Sequence, residues 1–214
     1  MMMNKMRTLQ QLQENYLVAV VRGNTEDDAW QKCKQIIEGG ILNIEVTFTT
    51  PNAETVIKSL NTKYKNDVLI GAGTVMDATT ARIAIMNGAN FIVSPHFDAQ
   101  IAMMCNLYTI PYLPGCSSVT EITTALQHGV DVVKLFPGDG LGADFIKNVH
   151  GPIPQVEMMP SGGVSIENMH EWYEKGAFAL GIGSALTKGA QDGADRIIVE
   201  QTRAFVERFK NLKA

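Results

Sequence analysis

The stretch Val130-Asp131-Val132-Val133-Lys134-Leu135-Phe136-Pro137 is an apolar run that contains one lysine, and it is typical of a strand buried in a parallel sheet. It follows a helical segment at 118–128 that would end at Gly129. An ammonium group at Lys134 would lose its water, and desolvation favours the neutral amine. A neutral amine attacks carbonyl carbons and forms Schiff bases. The stretch therefore predicts one period of the fold and, at Lys134, a candidate nucleophile.

The same alternation of short apolar runs and helical segments repeats along the chain. Eight runs are expected to be strands, at 17–22, 41–48, 68–73, 91–94, 109–113, 130–136, 156–160 and 178–183. A helical segment follows each run, the last at 193–211, and one more precedes the first at 5–14. Strands that alternate with helices predict a parallel sheet with right-handed crossovers. Eight such units predict an α/β fold, a (β/α)₈ TIM barrel, as a single domain over 1–214 with an extra N-terminal helix.

The composition limits the classes of function. Of 214 residues, 45% are hydrophobic and 19% are charged, and the formal net charge is −4. No basic run is long enough to predict binding to nucleic acid or to an anionic membrane. No stretch approaches the roughly 20 apolar residues of a membrane span, and residues 1–7 lack the apolar core of a signal peptide. We therefore expect a cytoplasmic protein that binds anionic ligands through local groups.

The cysteines and histidines give no framework for disulfides or for metal binding. Cys33, Cys105 and Cys116 lack paired spacing and are interpreted as reduced core thiols, with Cys116 in a loop near the expected pocket. The histidines are scattered, without the spacing of metal ligands. The sequence predicts no metal and no cofactor.

Candidate site residues stand at the carboxyl ends of the predicted strands, where barrel sites are built. Glu45, Thr47 and Thr49 alternate with apolar residues, so their side chains share one face, and Thr47 is expected to line the pocket with Glu45. The other candidates at strand ends are Arg22, Thr74, Pro95, His96, Lys134, Phe136, Ser161, Gly162, Gly163, Gly183 and Ser184.

Glu45 and Lys134 are the charged residues set most deeply within strand patterns. A buried ion pair that only fills the core is one interpretation, but its desolvation is costly and seldom improves on apolar residues of similar size. That cost favours a catalytic pair. The lysine amine would condense with a keto group, and the protonated imine would accept electrons from a breaking carbon–carbon bond. Glu45 would transfer protons, because burial can raise its pKa towards the working range.

Two glycine-containing turns predict a phosphate site. Ser161-Gly162-Gly163 and Gly183-Ser184 place backbone N–H groups and hydroxyls after strands seven and eight, where barrels commonly bind phosphate. Glycine lets the backbone approach the phosphate closely. Tight strand-to-helix turns alone would explain one such motif, but two in this order favour phosphate binding.

The remaining candidates each have a functional and a structural interpretation. Arg22 is either an exposed arginine at a strand end or a clamp for a substrate carboxylate. Thr74 is either a hydroxyl donor to that carboxylate or a helix cap. Phe136 and Pro95 would wall the pocket, although a phenylalanine in a strand is more often a core residue. His96 is interpreted first as a loop histidine and second as a substrate contact.

Seven short strings, in order along nearly the whole chain, resemble one enzyme family. They are Ile44-Glu45-Val46-Thr47, Gly71-Ala72-Gly73-Thr74-Val75, Ser94-Pro95, Leu113-Pro114-Gly115, Val133-Lys134-Leu135-Phe136-Pro137, Ser161-Gly162-Gly163-Val164 and Gly183-Ser184-Ala185. Their combination resembles the 2-keto-3-deoxy-6-phosphogluconate (KDPG) aldolases, a family in which some members also act on 4-hydroxy-2-oxoglutarate (KHG).

The resemblance implies a class I, metal-independent aldolase that is homotrimeric and splits a phosphorylated keto acid into pyruvate and glyceraldehyde 3-phosphate. Lys134 would match the Schiff-base lysine and Glu45 the proton-transfer glutamate. Thr74 would match a contact to the pyruvate carboxylate, and Phe136 and Pro95 would match pocket walls. The residues that would match the phosphate site are Ser161, Gly162, Gly163 and Ser184.

Two positions depart from the family pattern. Many members have Glu-Val-Thr-Leu-Arg-Thr on strand two, where the arginine holds the pyruvate carboxylate, and this chain lacks that arginine. Arg22 on strand one would take over its role, as in the related 2-keto-3-deoxy-6-phosphogalactonate (KDPGal) aldolases and one branch of the gluconate group. Ser161 stands where threonine is common and keeps the hydroxyl. We expect the gluconate substrate, with the galactonate epimer as the alternative.

Three other interpretations stay open from the residues alone. An open doubly wound sheet would normally carry a glycine-rich turn after its first strand, where this chain has only Arg22-Gly23-Asn24. A phosphosugar isomerase or epimerase would need an acid/base pair but would leave Lys134 unexplained. A non-catalytic phosphate-binding scaffold would keep its ligand affinity after Lys134→Met.

Overall fold

The computed structural model describes residues 4–65, 67–190 and 196–213, so the predicted start of the last helix at Gly193 lies outside the described residues. The strands are β1 Leu17–Val21, β2 Asn43–Thr47, β3 Leu69–Gly73, β4 Ile92–Val93, β5 Tyr112–Leu113, β6 Gly115–Cys116, β7 Val132–Leu135, β8 Glu157–Pro160 and β9 Leu180–Ile182. The helices are α1 Asn4–Asn15, α2 Glu26–Gly39, α3 Ala53–Tyr64, α4 Ala78–Met86, α5 Ala99–Leu107, α6 Val119–Gln127, α7 Gly138–Leu141, α8 Asp144–His150, α9 Met169–Glu174 and α10 Ile197–Lys213, with a 3₁₀ turn at Ser184–Leu186. Among the described residues, no helix is long and apolar enough to cross a membrane.

The strands form a curled parallel sheet with two hydrogen-bonded arcs, in an α/β fold. One arc has the order β5-β4-β3-β2-β1-β9, and the other has the order β6-β7-β8. An isolated parallel bridge between Ser161 and Gly181 joins the end of β8 to β9. At the other junction, the Gly115 N–H donates to the Ser94 carbonyl over 2.9 Å. The curl brings the carboxyl ends of distant strands to one side of the molecule.

The fifth predicted strand is divided in two. It was expected at 109–113, but the structure has β5 only at Tyr112–Leu113 and resumes the strand as β6 at Gly115–Cys116. Pro114 has no N–H to donate, so it interrupts the ladder between these segments. Its carbonyl still accepts a hydrogen bond of 2.8 Å from the Lys134 N–H, which holds the break against β7.

Among the helices whose starts the structure describes, four begin at a side-chain cap that follows a strand or its loop. In each, the cap oxygen accepts the backbone N–H three residues later, which satisfies one of the free donors of the first turn. These caps are Thr25, Asp77, Asp98 and Ser118. These caps fix the short loops, with their polar residues, that lead from the strand ends to the helices.

Apolar side chains fill the inside of the curled sheet at its amino-terminal end. They are Leu12, Val18, Leu69, Phe91, Val93, Leu113, Val132, Met159, Phe178 and Ala179. Leu12 belongs to α1, whose last turn is tied to β2 because the Asn43 amide donates to the Leu12 carbonyl over 3.2 Å. Helix α1 therefore closes this end of the sheet, and polar residues inside the sheet lie towards the other end.

The alternate residues of the same strands face the surrounding helices. Ala19 and Val21 of β1, and Ile44 and Val46 of β2, belong to the main core cluster between the sheet and its helices. Both faces of these strands are thus buried, which explains why the strands appear in the sequence as nearly continuous apolar runs.

Candidate active site

Lys134 and Glu45 come from different arcs and meet inside the sheet. Lys134 lies on β7 and Glu45 on β2, and the distance from Lys134 Nζ to Glu45 Oε1 is 3.8 Å. The two side chains are 8% and 0% exposed, respectively. Each side chain stabilises the charge of the other, because a single buried charge without a partner would have a large desolvation cost.

Glu45 is a buried carboxyl group with free acceptor capacity. Neither of its carboxylate oxygens has a hydrogen-bond partner among the described residues. Burial raises the pKa of Glu45 above its usual range, and the positive charges of Lys134 and Arg22 oppose the rise. A carboxyl group in this state is suited to exchange a proton with a molecule bound beside it.

Two glycines of β3 make room for side chains inside the sheet. A Cβ at Gly73 would overlap the carboxylate of Glu45, and a Cβ at Gly71 would overlap the ring of Phe91. In the ladder, Gly71 lies opposite Glu45 and Gly73 lies opposite Thr47. The Gly-Ala-Gly sequence of β3 is therefore a steric condition for the position of Glu45.

A chain of three polar groups runs from strand β2 to Arg22. The Arg22 Nε–H donates to Thr49 Oγ1 over 2.8 Å, and the hydroxyls of Thr49 and Thr47 are 2.9 Å apart. Thr49 thus orients an arginine that comes from the end of the neighbouring strand. Thr47 was expected to line the pocket, but its side chain is buried and its hydroxyl is engaged with Thr49, so it does not form part of the cavity wall.

A cavity of about 500 Å³ lies at the carboxyl ends of the strands. Of the fourteen candidates named from the sequence at strand ends, all except Thr47, Thr49 and His96 line it. The lining residues are Arg22, Glu45, Thr74, Pro95, Lys134, Phe136, Ser161, Gly162, Gly163, Gly183 and Ser184. The cavity therefore joins a buried amine and carboxyl group to the glycine-containing loops.

The loop after β8 presents its backbone to the cavity. Gly162 and Gly163 have φ values of 93° and 75°, which L-residues with a side chain rarely adopt. The Gly138 N–H donates to the Ser161 carbonyl over 2.8 Å and fixes this loop against the loop after β7. Consecutive residues with this backbone conformation turn N–H groups into a concave surface that suits an anion.

Phe136 and Thr74 line the same cavity as Lys134 and Glu45. The Lys134 Nζ lies 5.1 Å from the centroid of the Phe136 ring, which is partly exposed and therefore walls the cavity rather than filling the core. Thr74 has a φ of 54°, a strained conformation for a β-branched residue. Strain of this kind accumulates at binding sites, where the surrounding structure holds it in place.

The cavity is also lined by five residues that were not predicted from the sequence to be site residues. They are Val20, Val164, Ser165, Ala185 and Lys188. Lys188 is the only charged residue among them, and it lies just beyond the 3₁₀ turn that begins at Ser184. In the sequence, Lys188 is visible as a cation in the loop after the eighth predicted strand. A loop has no periodic pattern, so nothing in the sequence indicated that Lys188 faces the cavity.

His96 and Cys116 lie near strand ends but do not line the cavity. Burial, with a smaller contribution from Glu121, raises the pKa of the Cys116 thiol to about 12, which makes it a poor nucleophile. Within the described ranges, no group of three or more His, Cys, Asp or Glu side chains is placed to hold a metal ion. A metal-independent reaction stays a prediction.

Comparison with known proteins places this geometry in a family. Residues 9–199 match the family model described as aldolase, KDPG and KHG aldolase. A 2-dehydro-3-deoxy-6-phosphogalactonate aldolase from Escherichia coli is 30% identical over 91% of this chain and 94% of its own length. A 2-dehydro-3-deoxy-phosphogluconate aldolase from Pseudomonas aeruginosa is 31% identical over 92% of this chain and 90% of its own length.

Solved structures give the same result. One described as native KDPGal has 29% identity and a TM-score of 0.85, and the match covers 92% of this chain and 95% of that chain. A KDPG aldolase from Legionella pneumophila, with pyruvate captured as a covalent carbinolamine, has 27% identity and a TM-score of 0.82 over 92% of this chain and 97% of that chain. With its family match, its relatives and its buried lysine and glutamate in one cavity, this chain belongs to the KDPG and KHG aldolase family.

Proposed function

We propose that the protein is a class I aldolase that cleaves a phosphorylated 2-keto-3-deoxy sugar acid to pyruvate and glyceraldehyde 3-phosphate. The observation that carries the proposal is the buried Lys134, 3.8 Å from Glu45, at the floor of a cavity that continues to two glycine-containing loops. An amine beside a proton-transfer group is the requirement of imine chemistry. The glycine-containing loops supply the anion site that the phosphorylated end of the substrate needs.

Lys134 forms the covalent bond in this proposal. Its neutral amine attacks the C2 carbonyl carbon of the substrate, and the carbinolamine loses water to give a protonated imine. The C4 hydroxyl then loses a proton, the C3–C4 electron pair moves towards the imine nitrogen, and glyceraldehyde 3-phosphate leaves as the aldehyde. The enamine that remains takes a proton at C3, and hydrolysis releases pyruvate and the free amine.

Glu45 moves the protons. Its oxygens have no fixed donors among the described residues, and burial raises its pKa, so the carboxyl group takes up a proton more readily than an exposed glutamate does. In the proposal, the ionised form accepts the proton of the C4 hydroxyl, directly or through water, and the protonated form returns it to C3. Gly73 keeps the space that the carboxyl group occupies beside the lysine.

The two ends of the substrate bind at opposite ends of the cavity. Arg22, held by Thr49, is the clamp for the C1 carboxylate, and Thr74 contributes a hydroxyl there. The backbone N–H groups and hydroxyls of the loops containing Ser161–Gly163 and Gly183–Ser184 bind the phosphate. Phe136 and Pro95 wall the middle and exclude water.

For the substrate, we propose the gluconate epimer, with the galactonate epimer as the alternative. The relatives include aldolases named for each epimer at 30% and 31% identity, so the choice needs a direct assay. A comparison of kcat/KM on the two epimers decides it, and the preferred epimer is expected to be favoured at least about tenfold, because a hydroxyl bound by a polar site discriminates strongly. Cleavage of 4-hydroxy-2-oxoglutarate to pyruvate and glyoxylate is proposed as a secondary activity.

The finer architecture is also proposed. We infer one domain in which the two arcs close into an eight-stranded (β/α)₈ barrel, with β5 and β6 as one strand broken at Pro114. Support comes from the bridge between Ser161 and Gly181 at one junction and the hydrogen bond from Gly115 to Ser94 at the other. We further propose a homotrimer, as the resemblance to the family implies, and exposed apolar side chains on the neighbouring helices α4 and α5 are available for contact with other copies of this chain.

Borohydride reduction in the presence of saturating pyruvate, followed by peptide mass spectrometry, tests the proposed reaction. Reduction traps an imine as a stable secondary amine, so we expect a pyruvate-derived adduct on Lys134. Lys188 lines the same cavity and serves as an internal control that must stay unmodified. Lys134→Arg should show neither adduct nor turnover, because guanidinium does not form the imine at workable pH. An unmodified Lys134 would contradict the mechanism, as would substantial cleavage by Lys134→Arg.

A further inference from the structure

The cavity has three cationic side chains, and two of them belong to one end. Lys134 lies 3.8 Å from Glu45, and the charge of Arg22 also acts on the Glu45 carboxyl group. Lys188 is the third of these cations. It follows Ser184 by one short turn and lines the cavity on the side of the glycine-containing loops. The cavity is therefore positive at both ends, with Lys188 as the charge of the loop end.

The backbone of Lys188 is fixed while its side chain is exposed to solvent. The Gln201 Nε2–H on α10 donates to the Lys188 carbonyl over 2.9 Å, and the Thr187 N–H donates to the Ser184 carbonyl over 3.1 Å. Among the described residues, no ion pair within 4.0 Å holds the Lys188 ammonium. Its charge does act on Glu167, whose pKa lies below the usual range because Ser165 donates to it, with a lesser contribution from Lys188.

The loops beside Lys188 offer neutral donors only. Ser161, Gly162, Gly163, Gly183 and Ser184 supply N–H and O–H groups, which orient a phosphate but do not neutralise a dianion. The chain as a whole has a formal net charge of −4, so the overall field does not favour a dianion either. A cation at this end would add the charge that these neutral donors lack.

We propose that Lys188 is that cation and that it makes the enzyme select phosphorylated over unphosphorylated keto acids. The inference rests on the proposed function and adds to it a residue that determines substrate class. Lysine suits the task because its ammonium is a compact charge on a flexible stem that can leave the neighbourhood of Glu167 for a bound phosphate. The C1 carboxylate and the keto carbon are handled at the other end, so the chemistry itself does not depend on Lys188.

A substrate pair with and without phosphate tests the selectivity. For Lys188→Met, we expect kcat/KM on the phosphorylated substrate to fall about 10- to 100-fold, mainly through KM, because a charge-assisted hydrogen bond is lost. The kcat/KM for the unphosphorylated 2-keto-3-deoxy sugar acid, which has a hydroxyl in place of the phosphate, should stay unchanged, and Lys188→Arg should restore most of the loss. Lys58→Met, which removes an exposed lysine from α3, is the matched control and should change neither value. Equal losses on both substrates would overturn the proposal, as would no loss on the phosphorylated one.

Binding of glycerol 3-phosphate, measured by calorimetry, separates this inference from the proposed reaction. This probe has a phosphate but no carbonyl group, so it reports the loop end of the cavity without imine chemistry. We expect wild type and Lys58→Met to bind equally and Lys188→Met to bind at least about tenfold more weakly. Equal binding by Lys188→Met would overturn the role of Lys188, even if pyruvate still forms its adduct on Lys134. Absence of that adduct together with intact, Lys188-dependent binding would overturn the aldolase and leave Lys188 as the phosphate cation.

Discussion

At the scale of single residues, the site depends on a carboxyl group kept where ionisation is costly. Glu45 is fully buried, no described group donates to it, and burial raises its pKa. A natural core would fill such a position with an apolar residue at less cost in the free energy of folding. The functional gain is that the same surroundings, which penalise the charge, favour the uptake of a proton that the group can pass to a bound molecule.

The raised pKa of Glu45 has a measurable effect on stability. In the unfolded chain the carboxyl group ionises near its ordinary pKa of about 4.3, whereas in the folded protein it ionises at higher pH. Between these two values the folded state holds more protons, so the free energy of unfolding falls as pH rises. Glu45→Gln has no such carboxyl group, so its free energy of unfolding does not fall in this way. The difference in free energy of unfolding, variant minus wild type, should therefore increase from pH 4 upwards and level off above the raised pKa of Glu45.

Urea unfolding between pH 4 and pH 8 measures this difference. Glu207→Gln, which changes an exposed carboxylate on α10, gives the baseline and should show no comparable trend. A difference between Glu45→Gln and wild type that is constant over the range, or that shrinks as pH rises, would contradict the raised pKa.

Thr49 is predicted to position Arg22 without touching the substrate. Thr49→Val keeps the shape of the side chain but removes the acceptor of the Arg22 Nε–H. We expect the KM for pyruvate in the condensation direction to rise about 3- to 10-fold in Thr49→Val and more in Arg22→Ala, because a fixed guanidinium loses less freedom on binding. The KM for glyceraldehyde 3-phosphate should stay unchanged.

The control for this pair is Thr55→Val, on the exposed side of α3, which should alter neither KM. An equal rise in both KM values would assign Arg22 to the fold or to the phosphate end instead. An unchanged pyruvate KM in Thr49→Val would show that the hydrogen bond has no role in binding.

At the scale of elements, strands β2 and β3 form the rigid wall that sets the position of Glu45. They pair in parallel from Asn43 opposite Leu69 to Thr47 opposite Gly73. Strand positions are more precise than loop positions, which suits a group that must transfer protons over short distances. The glycines of β3 are as important here as the side chains of β2, because the lack of a Cβ at Gly73 leaves the volume that Glu45 fills.

Gly73→Ala tests the contribution of β3. The added Cβ would overlap the Glu45 carboxylate, so we expect Glu45 to be displaced, kcat to fall at least about tenfold, and stability to fall by roughly 1–3 kcal/mol from overpacking. Gly140→Ala on α7 is the control, because its Cβ would meet only Pro137 Cγ, at 3.7 Å. Steady-state kinetics and urea unfolding of both variants measure the effects, and a normal kcat in Gly73→Ala would refute the steric argument.

At the scale of the whole molecule, two surfaces differ in character from the acidic chain as a whole. One is the cavity, where Arg22, Lys134 and Lys188 concentrate positive charge in a chain of net charge −4. The other is the apolar face formed by Met76, Ile83, Met86, Met103, Leu107 and Tyr108. Several exposed apolar side chains on two neighbouring helices, α4 and α5, are typical of contacts between proteins.

Leu107→Lys is predicted to break the proposed trimer. Leu107 and Met86 are 72% and 69% exposed, and a lysine in the centre of an apolar contact would have to be desolvated without a partner. Light scattering after size exclusion should give three times the chain mass of 23.4 kDa for wild type and a smaller assembly for the variant. Met6→Lys, at an exposed methionine of α1 outside this face, should leave the mass unchanged. A monomeric wild type would refute the assembly.

The sequence by itself determined the parallel α/β fold and eleven of the residues that line the cavity, out of fourteen candidates, because both depend on local patterns. Apolar runs and the polar residues that end them record burial and strand direction without knowledge of any distant contact. Pro114 was visible as well, yet the division of the fifth strand required knowing that its missing N–H falls within the ladder.

Only the tertiary structure decided the features that depend on the distance between strands remote in sequence. The 3.8 Å between Lys134 and Glu45, the engagement of Thr47 by Thr49, and the space opposite Gly73 all follow from how the arcs curl. Lys188 was missed for the same reason, because a lysine in a loop carries no periodic signal of the cavity it lines. Side-chain type sets the chemistry that is available, and the curl of the sheet decides which groups come close enough to use it.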